Sequence, residues 1–182
     1  FIGHNLALNL RKLGADIYIV DSMQVNNLLN FASGTKKIKN RKLYWNILNE
    51  RIDLLHKADL EVNVQDARDY HALTQLFDKT LRPQVVIHLA AVSHANKSNK
   101  DPHTTFDHSL RTLENALDAS RNNVEHFVYF SSSMVYGNFS KSSVNENDSC
   151  NPIGIYGTLK YCGELIVKSY NQIFDLPYTI VR

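Results

Sequence analysis

Tyr156 and Lys160, four residues apart in Ile155-Tyr156-Gly157-Thr158-Leu159-Lys160, are the residues of this chain best suited to chemistry. On a helix an i,i+4 pair shares one face. A phenol, with a pKa near ~10, is a poor base at neutral pH. An ammonium on the same face favours the phenolate and lowers that pKa toward the working range. Ser132 precedes Tyr156 by twenty-four residues, in a Ser131-Ser132-Ser133-Met134-Val135-Tyr136-Gly137 segment at the end of an expected strand. A serine hydroxyl there can fix the substrate oxygen whose proton moves. The trio suits alcohol–carbonyl redox chemistry.

Three side chains so far apart in sequence need a scaffold. Apolar Ile2, Leu6, Leu10 and Leu13 recur at helical spacing, with Gly14 as a C-terminal stop. Ile17-Tyr18-Ile19-Val20 predicts a buried strand and residues 60–64 the next one, followed by a helix over 70–81. Pro83 leads into a strand at Val85-Val86-Ile87, and a helix over 104–121 precedes a strand over 124–130. A long helix over 156–174 carries the Tyr–Lys pair at its N-terminal end, and Tyr178-Thr179-Ile180-Val181-Arg182 opens another strand. Alternating helices and apolar strands predict an α/β fold, a doubly wound parallel sheet with helices on both faces. In such sheets ligands gather beyond the C-terminal ends of the strands. Asp21, His88-Leu89-Ala90-Ala91 and the three serines all fall at or just after such ends.

Composition narrows the classes. At 182 residues, 43% apolar and 21% charged, the chain reads as one ordinary globular domain over 1–182. A formal net charge of +2 gives no reason to expect nucleic acid. No apolar run approaches the ~20 residues of a membrane span, so no membrane partner is expected. Phe1 opens without a basic-then-apolar leader. Cys150 and Cys162 lack metal or redox spacing, which fits a reducing cytoplasm, with Cys162 as a small packing residue. His103 and His108 stand five apart and no His-Glu-x-x-His motif occurs, so no metal is expected. Residues 22–60 hold Lys36, Lys37, Lys39, Arg41 and Lys42, then helical spacing through Trp45, Leu48, Ile52 and Leu55. This reads as a long solvated connection with a surface helix, a phosphate- or nucleic-acid-binding patch being the alternative.

Phe1-Ile2-Gly3, Asp21, Gln65-Asp66-Ala67-Arg68-Asp69, His88-Leu89-Ala90-Ala91 and the Ser132, Tyr156, Lys160 set succeed one another in a telling order. Together they resemble the extended short-chain dehydrogenase/reductase family, specifically its nucleotide-sugar epimerases and dehydratases of the UDP-glucose 4-epimerase type. The likeness covers nearly the whole chain and leaves only residues 22–60 without a counterpart. It implies a Rossmann-type NAD-binding domain cut at both ends, with Gly3 as the tail of a phosphate-binding loop and the C-terminal substrate region missing. Asp21, eighteen residues after Gly3, takes the place of the acid that binds the adenosine ribose hydroxyls. A carboxylate there repels a 2′-phosphate, which favours NAD over NADP. Asp66 and Ala67 match the adenine-contacting position. Leu89, Ala90 and Ala91 would lie along the cofactor, the alanines permitting close approach, and His88 is structural. Tyr156 and Lys160 also face the cofactor, Lys160 at the nicotinamide ribose.

The same resemblance puts the catalytic Ser/Thr four residues before Tyr136, at Ser132, with Ser131 and Ser133 as alternatives. Tyr156 becomes the general base and Lys160 its activator. Ser93, His94 and Asn96, with Ser132 and Ser133, match substrate-contacting positions. Ser109 falls where relatives often carry an Asn that kinks or bridges the helix. A nucleotide sugar is the implied substrate, and a homodimer through the Tyr156 helix and its predecessor the implied assembly. Leu165, Ile166 and Tyr170 would serve either that interface or the core. The dehydratases follow the Ser/Thr with an Asp-Glu pair, because loss of water needs an extra acid and base. Ser133 and Met134 stand there instead, and Met134 also lacks the thiol that GDP-sugar epimerase-reductases tend to carry nearby. What remains suits 4-epimerisation of a UDP-sugar through a 4-keto intermediate, with NAD regenerated in each cycle. The alternatives are an NAD(P)-dependent dehydratase or reductase of the same family, or a non-catalytic relative that binds cofactor or RNA.

Overall fold

The first helical stripe forms α1 (Ile2–Lys12), which buries Ala7 and ends at Leu13 before Gly14 turns the chain with φ +89°. The structure, a computed structural model, describes residues 1–25, 28–33, 39–139 and 141–182. Two compact units emerge, Phe1–Asp66 and Ala67–Arg182. Lys36 and Lys37 of the basic run lie outside the described residues.

In the first unit β1 (Ile19–Asp21) pairs in parallel with β2 (Val62–Val64), in the register Ile19↔Val62 to Asp21↔Val64. The strand expected at Ile17 starts two residues later, where pairing with β2 begins. It is half-buried rather than buried, and Tyr18 is exposed. Between the strands lie α2 (Leu28–Ala32) and α3 (Arg41–Lys57). The expected surface helix does expose Leu43, Tyr44 and Trp45, but it also buries Leu48 and Leu55. Leu55 packs with Ala7 and Leu60 as the core of this unit, bordered by Ile17, Ile19 and Val62. Arg41 of the basic run is tied into the fold, donating to the carbonyls of Phe31 and Ala32.

In the second unit α4 (Tyr70–Gln75) continues through a π-helical stretch, Leu76–Leu81, which fills the span expected for one helix. Asp69 caps it by accepting the Ala72 N–H at 3.0 Å. Three parallel strands come next, β3 (Val85–His88), β4 (His126–Phe130) and β5 (Tyr178–Val181), ordered β3-β4-β5. Between β3 and β4 run α5 (Ala95–Lys100), α6 (Pro102–Phe106), a π-helical stretch over Asp107–Arg111, and α7 (Thr112–Ser120). α8 (Gly154–Phe174) connects β4 to β5. Leu113, Leu117 and Phe127 are 0% exposed and Val167 only 1%. At ~1.5–3 kcal/mol for each buried large apolar side chain, this cluster under the sheet dominates the unit's stability. Ile166 and Tyr170 pack against it, whereas Leu165 stands 49% exposed. Among the described residues no helix is long and apolar enough to cross a membrane.

Candidate active site

Lys160 fixes the geometry of the second unit's site. It is 7% exposed, its Nζ donates to the Phe130 carbonyl at 2.6 Å, and it lies 5.0 Å over the Tyr129 ring. The carbonyl and the ring favour the cation, yet burial outweighs them and lowers the pKa to about 8. At neutral pH the side chain therefore remains mostly charged. Burial holds the neighbouring Tyr129 phenol protonated, its pKa raised above the usual range.

The reach of Lys160 brings α8 to the C-terminal end of β4. Beyond that end, Ser132 is extended (φ −165°, ψ 150°) and caps a short 3-10 turn, Ser133–Tyr136, its Oγ accepting from the Met134 N–H at 3.2 Å. α8 leans on this turn. A Cβ added to Gly157 would stand 2.6 Å from the Met134 carbonyl oxygen, so only glycine permits the approach. Tyr156, half-buried, precedes Gly157 in the first turns of α8. Ser132, Lys160 and the turn of α8 that carries Tyr156 thus lie around one strand end. Of the alternative serines, Ser131 donates its hydroxyl to the Glu164 carboxylate and Ser133 is exposed on the turn.

The strand beside β4 delivers the other residues. His88 ends β3 and is 6% exposed, its ring 6.1 Å from Phe127 and 6.2 Å from Tyr129. Burial, with the Lys160 charge second, pushes its pKa down to about 3, so it is a neutral core residue as expected. Leu89 is half-buried and Ala90 exposed; the Ala90 carbonyl accepts from Thr112 Oγ1 at 3.2 Å. Ser109 stands in the π-helical stretch and its Oγ accepts the Val92 N–H at 3.3 Å. It thereby bridges the helix to the strand exit. Ser93, His94 and Asn96 are exposed around the start of α5, where His94 is the cap residue. Ala67 accepts from Asn115 Nδ2 at 2.9 Å.

In the first unit Gly3 lies inside the first turn of α1 rather than ahead of it. Asp21 ends β1, is exposed, and accepts the Met23 N–H at 2.7 Å through Oδ1. Asp66 comes after β2 and accepts from Gln24 Nε2 at 2.9 Å. The two acids therefore sit at and just beyond the C-terminal ends of paired parallel strands, where a dinucleotide's ribose and base are bound in this architecture. Taken unit by unit the residues fit NAD: in the first, the exposed Asp21 carboxylate suits ribose hydroxyls, and in the second, small Ala90 and Ala91 stand just after a strand end. Among the described residues no group of three or more His, Cys, Asp or Glu could hold a metal.

Two features escaped the sequence. Glu164 is 0% exposed and receives Arg182 through Nη2 at 2.7 Å and Nε at 3.0 Å, beside Ser131. Arg182 also donates to the Tyr136 hydroxyl at 3.0 Å and the Glu146 carbonyl at 3.2 Å. A charge four residues beyond Lys160, on a stripe with Gly163 and Val167, was the available signal. The other is Asn99, which accepts the Ile155 N–H at 3.2 Å.

The whole chain, residues 1–182, matches the NAD dependent epimerase/dehydratase family. The chain belongs to that family. It is 29% identical over 184 residues to protein CapI of Staphylococcus aureus, covering 100% of this chain and 50% of CapI. It is 28% identical over 185 residues to a putative UDP-glucose 4-epimerase of Methanocaldococcus jannaschii, covering 100% of this chain and 52% of the relative. The chain thus spans about half the length of these relatives. Its fold is similar to that of a UDP-glucose 4-epimerase from Thermotoga maritima solved with UDP-glucose. That match has a TM-score of 0.78 at 22% identity, covering 100% of this chain and 52% of that one. The fold is Rossmann-like and the family's cofactor is NAD.

Proposed function

We propose that this chain carries the catalytic set of a nucleotide-sugar epimerase that inverts C4 of a UDP-sugar through a 4-keto intermediate. The observation that carries the reading is the approach of Lys160, and of the α8 turn bearing Tyr156, to the end of β4 beside Ser132, with no acid–base pair after the serine. Tyr156, as general base, takes the proton of the C4 hydroxyl. Lys160 carries its charge one turn further along the same helix, and Ser132 donates a hydrogen bond to the C4 oxygen. NAD, when bound, supplies a reversible hydride acceptor. Tyr156 returns the same proton after the ketose has turned over, so the residue ends the cycle as it began. Gly3, Asp21, Asp66, Ala67, Leu89, Ala90, Ala91, Tyr156 and Lys160 would hold the cofactor. Ser93, His94, Asn96 and Ser133 would face the nucleotide sugar.

Ser133 and Met134 cannot supply the acid and base that elimination of water requires, which favours epimerisation over dehydration. Exposed Leu165 and Ile173 on α8 suit a homodimer. Two free cysteines suit a cytoplasmic setting. The test is to incubate the full-length protein with UDP-, GDP- and dTDP-sugars without reductant and follow the sugars by NMR. A C4 epimer with no net redox change is expected. A 4-keto-6-deoxy product would make the protein a dehydratase, and no reaction with any sugar would move it to the reductases or the non-catalytic relatives.

A further inference from the structure

α8 begins without a cap of its own. The residue before it is Ile153, extended and with no side-chain acceptor, and the first turn contains no acidic residue. The first N–H groups of an α-helix have no intrahelical partner, and a side-chain oxygen is the usual remedy. Here it comes from 56 residues away: Asn99 Oδ1, in the last turn of α5, accepts the Ile155 N–H at 3.2 Å. Beside it Gly154 holds φ +75°, and a Cβ there would stand 3.2 Å from that Oδ1. Glycine therefore lets the chain enter the helix in a left-handed conformation while the amide keeps its place. Tyr156 directly follows Ile155.

We propose that Asn99 is a positioning residue for Tyr156, acting as the cap that α8 lacks. The inference rests on the reading of Tyr156 as general base. His94 is the cap residue of α5, so one short helix links the exposed Ser93, His94 and Asn96 to the turn that carries the tyrosine. Loss of the acceptor lets the first turn of α8 fray and moves the phenol off its line to the substrate oxygen. Misplacement on the scale of an ångström costs up to ~10²-fold in rate, and loss of a cap alone opens a helix end by roughly fivefold.

The experiment compares N99A, N99D and Y156F with wild type in the full-length protein, using UDP-glucose as probe and amide hydrogen exchange at Ile155 and Tyr156 as second readout. For N99A, kcat is expected to fall about tenfold with KM within about twofold, and exchange at both amides to quicken by roughly fivefold. N99D keeps an acceptor oxygen and restores both readouts most of the way. Unchanged exchange in N99A, or equal impairment of N99A and N99D, overturns the role of Asn99. Undiminished turnover by Y156F, or none by wild type, counts against the functional reading instead, and the exchange comparison then judges the capping role alone.

Discussion

Replacing Lys160 by Met separates stability from function at one residue. The wild-type lysine is 7% exposed, and burial lowers its pKa from 10.5 to about 8. Below pH 8 the folded and unfolded chains both carry the charge, and the fold bears the cost of burying it. Between about 8 and 10.5 the folded lysine has lost its proton while the unfolded one keeps it, so stability rises with pH across that window. Above 10.5 both are neutral and the cost is gone. At ~1.36 kcal/mol per pH unit the full gap corresponds to ~3 kcal/mol. Met does not titrate, and the tyrosines and cysteines common to both proteins cancel in the difference. Wild type minus K160M should therefore climb by ~2–3 kcal/mol between pH 7 and pH 10, measured by urea unfolding of both proteins at a series of pH values. Activity of K160M should be lost throughout. A flat difference would mean that the ammonium keeps an ordinary pKa and is not desolvated against β4. A falling one would mean that an opposite charge holds it.

The packing of α8 yields two further expected outcomes. R182M strands the Glu164 carboxylate, 0% exposed, without its cation, and should cost ~3–5 kcal/mol, or roughly 6–20 °C in Tm. The double variant E164L/R182M should recover most of this in thermal unfolding, and an equal loss in both proteins would refute the ion pair's role. G163A would place a Cβ 2.2 Å from the Tyr129 hydroxyl and 2.7 Å from its Cζ, so a loss of ~1–3 kcal/mol is expected by urea unfolding. A cost within experimental error would show that the buried ring can move aside.

Much of this site was legible because its residue types carry their own chemistry. Tyr156 and Lys160 needed only helical spacing to share a face, and α8 supplies it over Gly154–Phe174. Asp21 was readable from a strand that ends in an acid, although pairing with β2 starts that strand at Ile19, two residues late. Choosing among three consecutive serines was not readable from the residues themselves. That choice depends on Glu164, thirty-three residues beyond Ser131, engaging Ser131. The Glu164–Arg182 pair and the Asn99 cap are likewise long-range contacts with no local pattern. A missing cap before Gly154 could have announced that some distant acceptor was needed, but not which one. The π-helical stretch over Asp107–Arg111 was equally hidden, since its apolar spacing continues that of the helices around it.

The proposed catalytic set is accurate only if α8 is held against β4 in both rotation and height, and neither Tyr156 nor Lys160 can secure that alone. Four contacts do so along one face of the helix. Gly157 abuts the Met134 carbonyl, Lys160 reaches the Phe130 carbonyl, Gly163 faces the Tyr129 ring, and Glu164 takes the Ser131 hydroxyl. Their spacing matches the helical repeat, so they form a single stripe, and every partner lies on β4 or the turn beyond it. Rotating α8 by one residue would bring Cβ atoms onto a backbone carbonyl and a buried ring. Sliding it by a turn would leave the Glu164 carboxylate buried away from Arg182 and Ser131. Both displacements cost far more than the few tenths of a kcal/mol that hold an exposed i,i+4 pair together. The precision of the Ser–Tyr–Lys arrangement is therefore a property of the helix–strand joint, and the small or buried residues of that joint are as necessary to the proposed chemistry as the side chains assigned to it.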